Sequence, residues 1–322
     1  CCELPPKLDR ERFKEAVKRA IAGHPSFGVR IALKDGTPVM RVDPGYTEAS
    51  VEERQTQDIE ADKKRFVRPF SMEGEPLYRM AVYEGQGSAW FLFDVHHLIF
   101  DGTSVKVFLD EISQIYRGEA PKPEEISLLD QAVCEETIEE TPRYQAARAY
   151  FQGKLAGEDP GEALIRDFRK KTVSAKSARL HMTLGEELSI MAVEQFVRQK
   201  GISENTLFLG AFSYALSKFN GGNKSLFCTV NNGRHAAGLL QSTGMFVRTL
   251  PVCASFDENA PIAGWLADFQ SDFYELMGHD CISFAELARE YGIASDILFV
   301  YQADMLSGLA LHGEQYPARP IP

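Results

Sequence analysis

From Leu8 onward the chain places apolar residues three and four positions apart: Leu8, Phe13, Ala16, Val17, Ala20 and Ile21. That spacing lays one apolar stripe along a helix. It predicts a helix over 9–22, with Asp9 as N-cap and Gly23 and Pro25 as the stop. The period then changes to two. Residues 29–33 and 39–42 flank Asp35-Gly36, which predicts a hairpin. Residues 50–64 are dense in charge and predict a solvated helix or loop. Runs 77–83 and 88–95 predict neighbouring strands around a Gly85-Gln86-Gly87 turn. After Asp101-Gly102 the helical period returns through Val105, Phe108, Leu109, Ile112 and Tyr116, and Gly118 ends it. The stretch 118–143, rich in Pro and Glu, predicts a connector, and Tyr144 to Leu155 an amphipathic helix. Gly157 to Glu162 predicts a break.

The second half repeats the mixture. It predicts strands at 179–184, 225–230 and 246–253 and a buried strand at 297–301. Helices are predicted at 186–200 (closed by Gly201), from the Ser203 cap to Phe219, and at 263–277. The tail from Glu314 predicts no packed element, and no tandem repeat is visible. Strands and helices alternate in both halves, so the pattern predicts a layered α/β (α+β) fold. A length of 322 residues predicts two domains.

Composition narrows the function classes. Apolar residues at 44% and charged residues at 25% fit a soluble globular chain. A net charge of −11 argues against a nucleic-acid or anionic-membrane partner, both of which need basic patches. No run of 18 apolar residues predicts a membrane span, and the start CCELPPKLDRERF is not a signal peptide. The six cysteines form no CxxC pair, and read as reduced core thiols of a cytoplasmic protein.

The candidate chemistry lies in DVHHLIFDGTS, residues 94–104, which holds two of the seven histidines. If the strand over 88–95 continues, His96 and His97 point to opposite faces and cannot ligate one metal together. No metal site is predicted. One imidazole then faces a cleft, where it can take or hold a proton near neutral pH, and the other packs inward. Asp101-Gly102 suits a strand-to-helix turn, with Asp101 capping the helix or pairing with a cation. Two packed histidines beside a capping aspartate fit the same residues, and the residues alone leave both readings open.

His96-His97-Leu98-Ile99-Phe100-Asp101-Gly102 resembles the HHxxxDG motif of condensation domains of nonribosomal peptide synthetases, of the chloramphenicol acetyltransferase-like superfamily. Phe70-Ser71-Met72 followed by Gly74 to Arg79 resembles the FDL…GPLxR segment before that motif. Tyr150 to Leu155 resembles YWxxxL, and Gly233-Arg234 the family's GR. Gly244 to Thr249 resembles GxFVNT, with Arg248 in place of Asn. His279 to Leu287 resembles HQDYPFExL, with Ile282-Ser283 in place of Tyr-Pro. Leu298 to Gln302 resembles the strand that follows, and Leu129 to Cys134 loosely resembles YxDYAVW. The matches run in family order, but the family's first motif would precede Cys1 and its last strands would follow Pro322. The resemblance is therefore to an incomplete stretch of the domain.

The resemblance implies two chloramphenicol acetyltransferase-like lobes in a V, the second incomplete. It divides them as 1–140 with HHxxxDG, a connector over 141–170, and 171–322. A channel between them would receive phosphopantetheine arms of upstream and downstream carrier proteins, with an adenylation domain in the same assembly line. No cofactor is bound by the domain itself. By the same resemblance His97 is catalytic, as base or as orienter of the attacking amine, and the Gly102 amide stabilises the oxyanion. His96 is structural, and Asp101 is held by Arg234 from the second lobe. The implied reaction is amide formation between a donor acyl or peptidyl thioester and an acceptor aminoacyl thioester. Alternatives are another acyltransferase or epimerisation-type relative, or a non-catalytic carrier-docking module. Epimerisation relatives carry Trp after the Ser of this region, whereas Val105 follows Ser104. Heterocyclisation relatives carry aspartates in place of the histidines.

Overall fold

The computed structural model describes residues 1–49, 51–85, 87–157, 178–183, 188–293, 296–302 and 308–321. The elements run β1 (Cys2–Leu4), α1 (Arg10–Ala22), β2 (Val29–Lys34), β3 (Thr37–Val42), β4 (Glu52–Gln55), α2 (Ile59–Phe66), β5 (Tyr78–Gly85), β6 (Ser88–Val95) and α3 (Gly102–Arg117). Then follow α4 (Leu128–Glu136), α5 (Pro142–Leu155), α6 (Ile190–Lys200), α7 (Glu204–Phe219), β7 (Lys224–Asn231), β8 (Arg248–Ser255), α8 (Ile262–Gly278), α9 (Phe284–Tyr291), β9 (Leu298–Phe299), β10 (Gly308–Leu311) and β11 (Glu314–Pro317).

These elements build two compact units. The first takes Cys1–Thr137, Asn232–Val247 and Gln302–Pro322; the second takes Ile138–Asn231 and Arg248–Tyr301. This corrects the expected division at residues 140 and 170. The segment carrying Arg234 leaves the second unit, and so does the last hairpin. The reason is physical: Leu239, Phe246, Leu309, Leu311 and Ala318 bury their side chains in the first unit's core.

In the first unit, strands lie in the order β1-β6-β5-β4. β1, β6 and β5 are antiparallel neighbours, and β4 adds in parallel at the edge. Helices α1 and α3 form where the pattern predicts them. Asp9 caps α1 by accepting the Arg12 amide at 3.1 Å, and α1 buries Phe13, Ala16, Val17, Ala20 and Ile21. Helix α3 buries Phe108, Leu109 and Ile112 and ends at Gly118, whose φ of 87° suits a residue without Cβ. The Phe13 ring meets the Phe91 ring of β6 edge-on at 5.3 Å, which joins α1 to the sheet. The β2–β3 hairpin turns on Asp35 and Gly36, both at positive φ, the geometry that matches the twist of paired strands.

In the second unit, β8-β7-β9 form one small sheet, with β9 parallel to β7. Helices α5, α7, α8 and α9 contribute Phe151, Leu209, Phe273 and Leu287 to the core on it. Each of α5, α6, α7 and α9 begins on a Thr or Ser cap: Thr141, Ser189, Ser203 and Ser283.

Several expectations need correction. The charged run 50–64 contains strand β4 as well as helix α2. The connector contains α4, started by a reciprocal cap between Ser127 and Asp130. Residues 178–183 form no strand, and the expected strand's last residue and the break at 158–162 lie outside the described residues. The strand expected to be buried at 297–301 is the two-residue edge strand β9, with Leu298 54% exposed. The tail does pack: β11 pairs with β10 through a His312-Gly313 turn, and Ala318 bridges Cys2.

One buried charge cluster stands apart from the apolar core. His24 is 1% exposed, with Nε2 2.7 Å from Glu111 Oε2 on α3 and Nδ1 against Glu124 Oε2 of the connector. Burial works against the imidazolium, but hydrogen bonds and charge from Glu111 and Glu124 outweigh it and raise its pKa to about 9. A raised folded-state value contributes stability that is complete below the unfolded value, about 6.5. That stability is lost as pH rises through the folded value. In urea titrations from about pH 7 to about pH 10, the unfolding midpoint of the wild type is expected to fall more than that of His24→Asn. Equal slopes would refute a buried imidazolium.

Candidate functional site

Strand β6 stops at Val95, and residues 97–99 form a turn. The turn, not strand alternation, separates the two histidines. The His96 amide still donates to Leu77 O at 2.8 Å, and the Ile99 amide closes back on His96 O at 3.1 Å. His96 is half-buried with its ring 5.8 Å from that of Phe70. Its Nδ1 accepts the Leu98 amide at 3.1 Å, so Nε2 carries the proton in the neutral ring. His97 is exposed, and its ring has no hydrogen-bond partner among the described residues. The chain then buries Ile99 and Phe100, which anchor the loop in the core.

Asp101 sits at the N-cap of α3 in extended geometry (φ −115°, ψ −178°). Its Oδ1 accepts the Ser104 amide at 2.9 Å, the Ser104 hydroxyl at 2.8 Å and Arg234 Nη2 at 2.9 Å. Its Oδ2 accepts Arg234 Nη1 at 2.8 Å and the Phe246 amide at 3.1 Å. Neither side chain of the pair is exposed to solvent. The guanidinium also donates to Ser104 Oγ, Ser242 O and Asn232 O, and lies 4.6 Å above the Phe246 ring. Only its Nε is buried without a partner. Such a planar fork on a carboxylate fixes both direction and distance.

All of this lies within the first unit, because Arg234 belongs to the segment 232–247. The expectation that Arg234 reaches Asp101 from a second lobe is corrected on that point. Gly102 is the first residue of α3, so its amide has no partner inside the helix and points out of its N-terminus. The loop thus presents one exposed imidazole and one free helix-start amide, and it is fixed at its far end by a buried ion pair.

The sequence assigns no role at the site to Ser104, Ser242, Gly244 or Phe246, although Gly244 and Phe246 fall in the stretch that resembles GxFVNT. Ser104 carried a signal: a Ser three residues after a capping Asp can close the first turn. Its buried hydroxyl accepts from Gly244 N at 3.0 Å and lies 3.0 Å from Gly244 O. Gly244 has no room for a side chain, since a Cβ there would stand 2.6 Å from the Phe246 ring. Arg248, Cys281 and Asp280 of the later motifs lie in the second unit, where Asp280 accepts Arg143 Nη2 at 2.8 Å and Asn231 Nδ2 at 3.1 Å. Among the described residues, no three His, Cys, Asp or Glu side chains converge as a metal site.

A family model for the condensation domain matches residues 1–315. The chain belongs to that family. This condensation domain is 26% identical over 294 residues to surfactin synthase subunit 2 of Bacillus subtilis (strain 168), covering 90% of the chain and 8% of that relative. To tyrocidine synthase 2 of Brevibacillus parabrevis it is 25% identical over 309 residues, covering 93% and 9%. The chain therefore spans less than a tenth of the length of these relatives. Among solved structures, the condensation domain from Monacolin K polyketide synthase MokA superposes with a TM-score of 0.76 at 17% identity, covering 96% of this chain and 74% of that one. The first condensation domain of the calcium-dependent antibiotic synthetase, in complex with substrate analogue 2a, gives 0.74 at 20% identity, covering 93% and 74%. These likenesses establish the mixed α+β fold, and no described helix is long and apolar enough to cross a membrane.

Removing either partner of the buried pair leaves the other charge unpaired. Asp101→Ala and Arg234→Ala in this condensation domain should each lower unfolding free energy by about 3–5 kcal/mol. The double variant should fall short of their sum by more than about 1 kcal/mol. Additive losses in denaturant unfolding would refute a shared contact.

Proposed function

We propose that this chain forms an amide bond between two thioesters carried on phosphopantetheine arms of carrier proteins. The donor arm bears an acyl or peptidyl group, and the acceptor arm bears an aminoacyl group. The amine nitrogen of the acceptor attacks the donor carbonyl carbon. The carbonyl π pair moves to oxygen, and a tetrahedral intermediate forms. Collapse returns that pair and breaks the C–S bond, and the donor pantetheine leaves as a thiolate. The proton lost by nitrogen ends on that sulfur.

The observation that carries the reading is the division of labour on the loop 96–102. His97 is exposed with both ring nitrogens uncommitted, while His96 is tied to backbone and Asp101 to Arg234. His97 is the catalytic group, holding the proton of the attacking amine or fixing the direction of its lone pair. The Gly102 amide, at the positive end of α3, is the donor for the developing oxyanion. His96, Asp101 and Arg234 hold these two in place and do no chemistry. A thioester is already activated, so positioning two tethered reactants supplies much of the acceleration. Carrier proteins on either side, an adenylation domain in the same assembly line and a cytoplasmic setting belong to this reading. Membership of the family and the length of the curated relatives support it.

Two substitutions test it with loaded donor and acceptor carriers. His97→Ala should lower dipeptidyl product formation by at least about 100-fold. Unchanged product would sink the role of His97. Gly102→Pro removes the N–H in question and adds a ring at the first helical position, where proline is tolerated, and the extended Asp101 before it suits proline. It should cost about 100- to 1,000-fold in kcat with helix content preserved. Wild-type turnover would dismiss the oxyanion role.

A further inference from the structure

The buried cluster around His24 and the Asp101–Arg234 pair are joined by one short run of backbone, residues 242–246. On one side of this run, the Thr243 amide donates to Glu124 Oε2 at 3.3 Å, and the Thr243 hydroxyl meets Ser26 Oγ at 2.6 Å. The Ser242 hydroxyl donates to Ile126 O at 2.5 Å, two residues beyond Glu124. On the other side, Ser242 O accepts Arg234 Nη2, the Gly244 amide donates to Ser104 Oγ, and the Phe246 amide donates to Asp101 Oδ2. Ser242 and Thr243 are fully buried, so water cannot substitute for these partners.

We propose that Glu124 is a positioning residue for the Asp101–Arg234 centre, acting through the backbone of 242–246 and anchored by His24. Glu124 Oε2 serves both His24 Nδ1 and Thr243 N, while Glu124 Oε1 is buried without a partner. A buried carboxylate with an empty oxygen is a poor way to stabilise a fold. Its use is directional, because the same oxygen orients the Thr243 amide and takes the imidazolium. The charged groups that face His24 are Glu111 from α3 and Glu124 from the connector, and the Phe27 ring from the turn after α1 stands edge-on to it at 6.5 Å. The Tyr46 phenol lies near enough to Glu124 to be pushed up in pKa, by burial first and by that charge second.

The reading of Glu124 rests on the proposed amide-forming reaction for its kinetic arm only. Glu124→Gln keeps the shape and removes the charge. In the whole chain it should lower kcat about tenfold and leave KM for the aminoacyl carrier within about twofold. By amide hydrogen exchange it should also raise the rate at Thr243, Gly244 and Phe246. Val17→Ala, a truncation in α1 outside both polar clusters, sets the comparison for general destabilisation. It should lower the melting temperature and leave kcat as in the wild type, with exchange raised across the first unit and not selectively at 242–246. The proposal is overturned if Glu124→Gln leaves exchange at these amides unchanged, or if Val17→Ala reproduces the kinetic loss. A wild-type chain that makes no amide product would remove the reaction and leave the exchange measurement to decide the positioning.

Discussion

The structure around the candidate site depends on one requirement: a carboxylate and a guanidinium, both without solvent contact, need hydrogen-bond partners for nearly all their polar atoms, and here Arg234 Nε alone goes without one. Taking both charges out of water costs several kcal/mol for each ion, and their attraction alone does not restore it. The remaining lone pairs and protons need partners with defined directions. Ser104, Ser242, Asn232 and Phe246 supply them around Asp101 and Arg234. Those demands fix where α3 begins, where the 242–246 backbone runs, and how the loop from His96 enters the helix. An apolar pair of similar volume could fill the same space without fixing any of these directions.

Much of the first unit was legible in the sequence because its elements obey local rules. The stripe from Phe13 to Ile21, the Asp35-Gly36 turn and the stop at Gly118 each need only neighbouring residues to be read. β4 was not legible. Glu52-Glu53-Arg54-Gln55 is exposed on every residue and has no apolar alternation, since an edge strand here buries nothing with its side chains. The tail was missed for a related reason. Its strands are four residues each, and their packing comes from Leu309 and Leu311 and from the bridge to Cys2, far away in the chain.

The site divides along the same line. His96, His97, Asp101 and Arg234 were visible as a family motif, and the capping role of Asp101 was visible from its place before a helical period. What holds the centre was not visible, because it is made largely of backbone. Amides of Gly244 and Phe246 and carbonyls of Ser242 and Asn232 carry no residue-type signature. His24 was passed over as part of a helix stop between Gly23 and Pro25, although its two carboxylate partners are 87 and 100 residues away. The turn that separates His96 from His97 carries no signal in Leu98-Ile99-Phe100, which is as apolar as the strand before it, so the sequence leaves open whether the strand continues past residue 95.

The first unit is stitched from three stretches of chain, and its closing stitches come last. The Arg319 amide donates to Cys1 O, and the Ala310 amide to the Ser113 hydroxyl of α3. The whole sequence of the second unit is therefore translated before the first can close. Arg234 follows Asp101 by 133 residues, a gap of roughly ten seconds at ordinary rates of synthesis. Through that interval the Asp101 carboxylate lacks the guanidinium that pairs with it in the folded chain. The centre cannot become dry before Arg234 has been synthesised, and the unit as a whole cannot close before its last hairpin has followed.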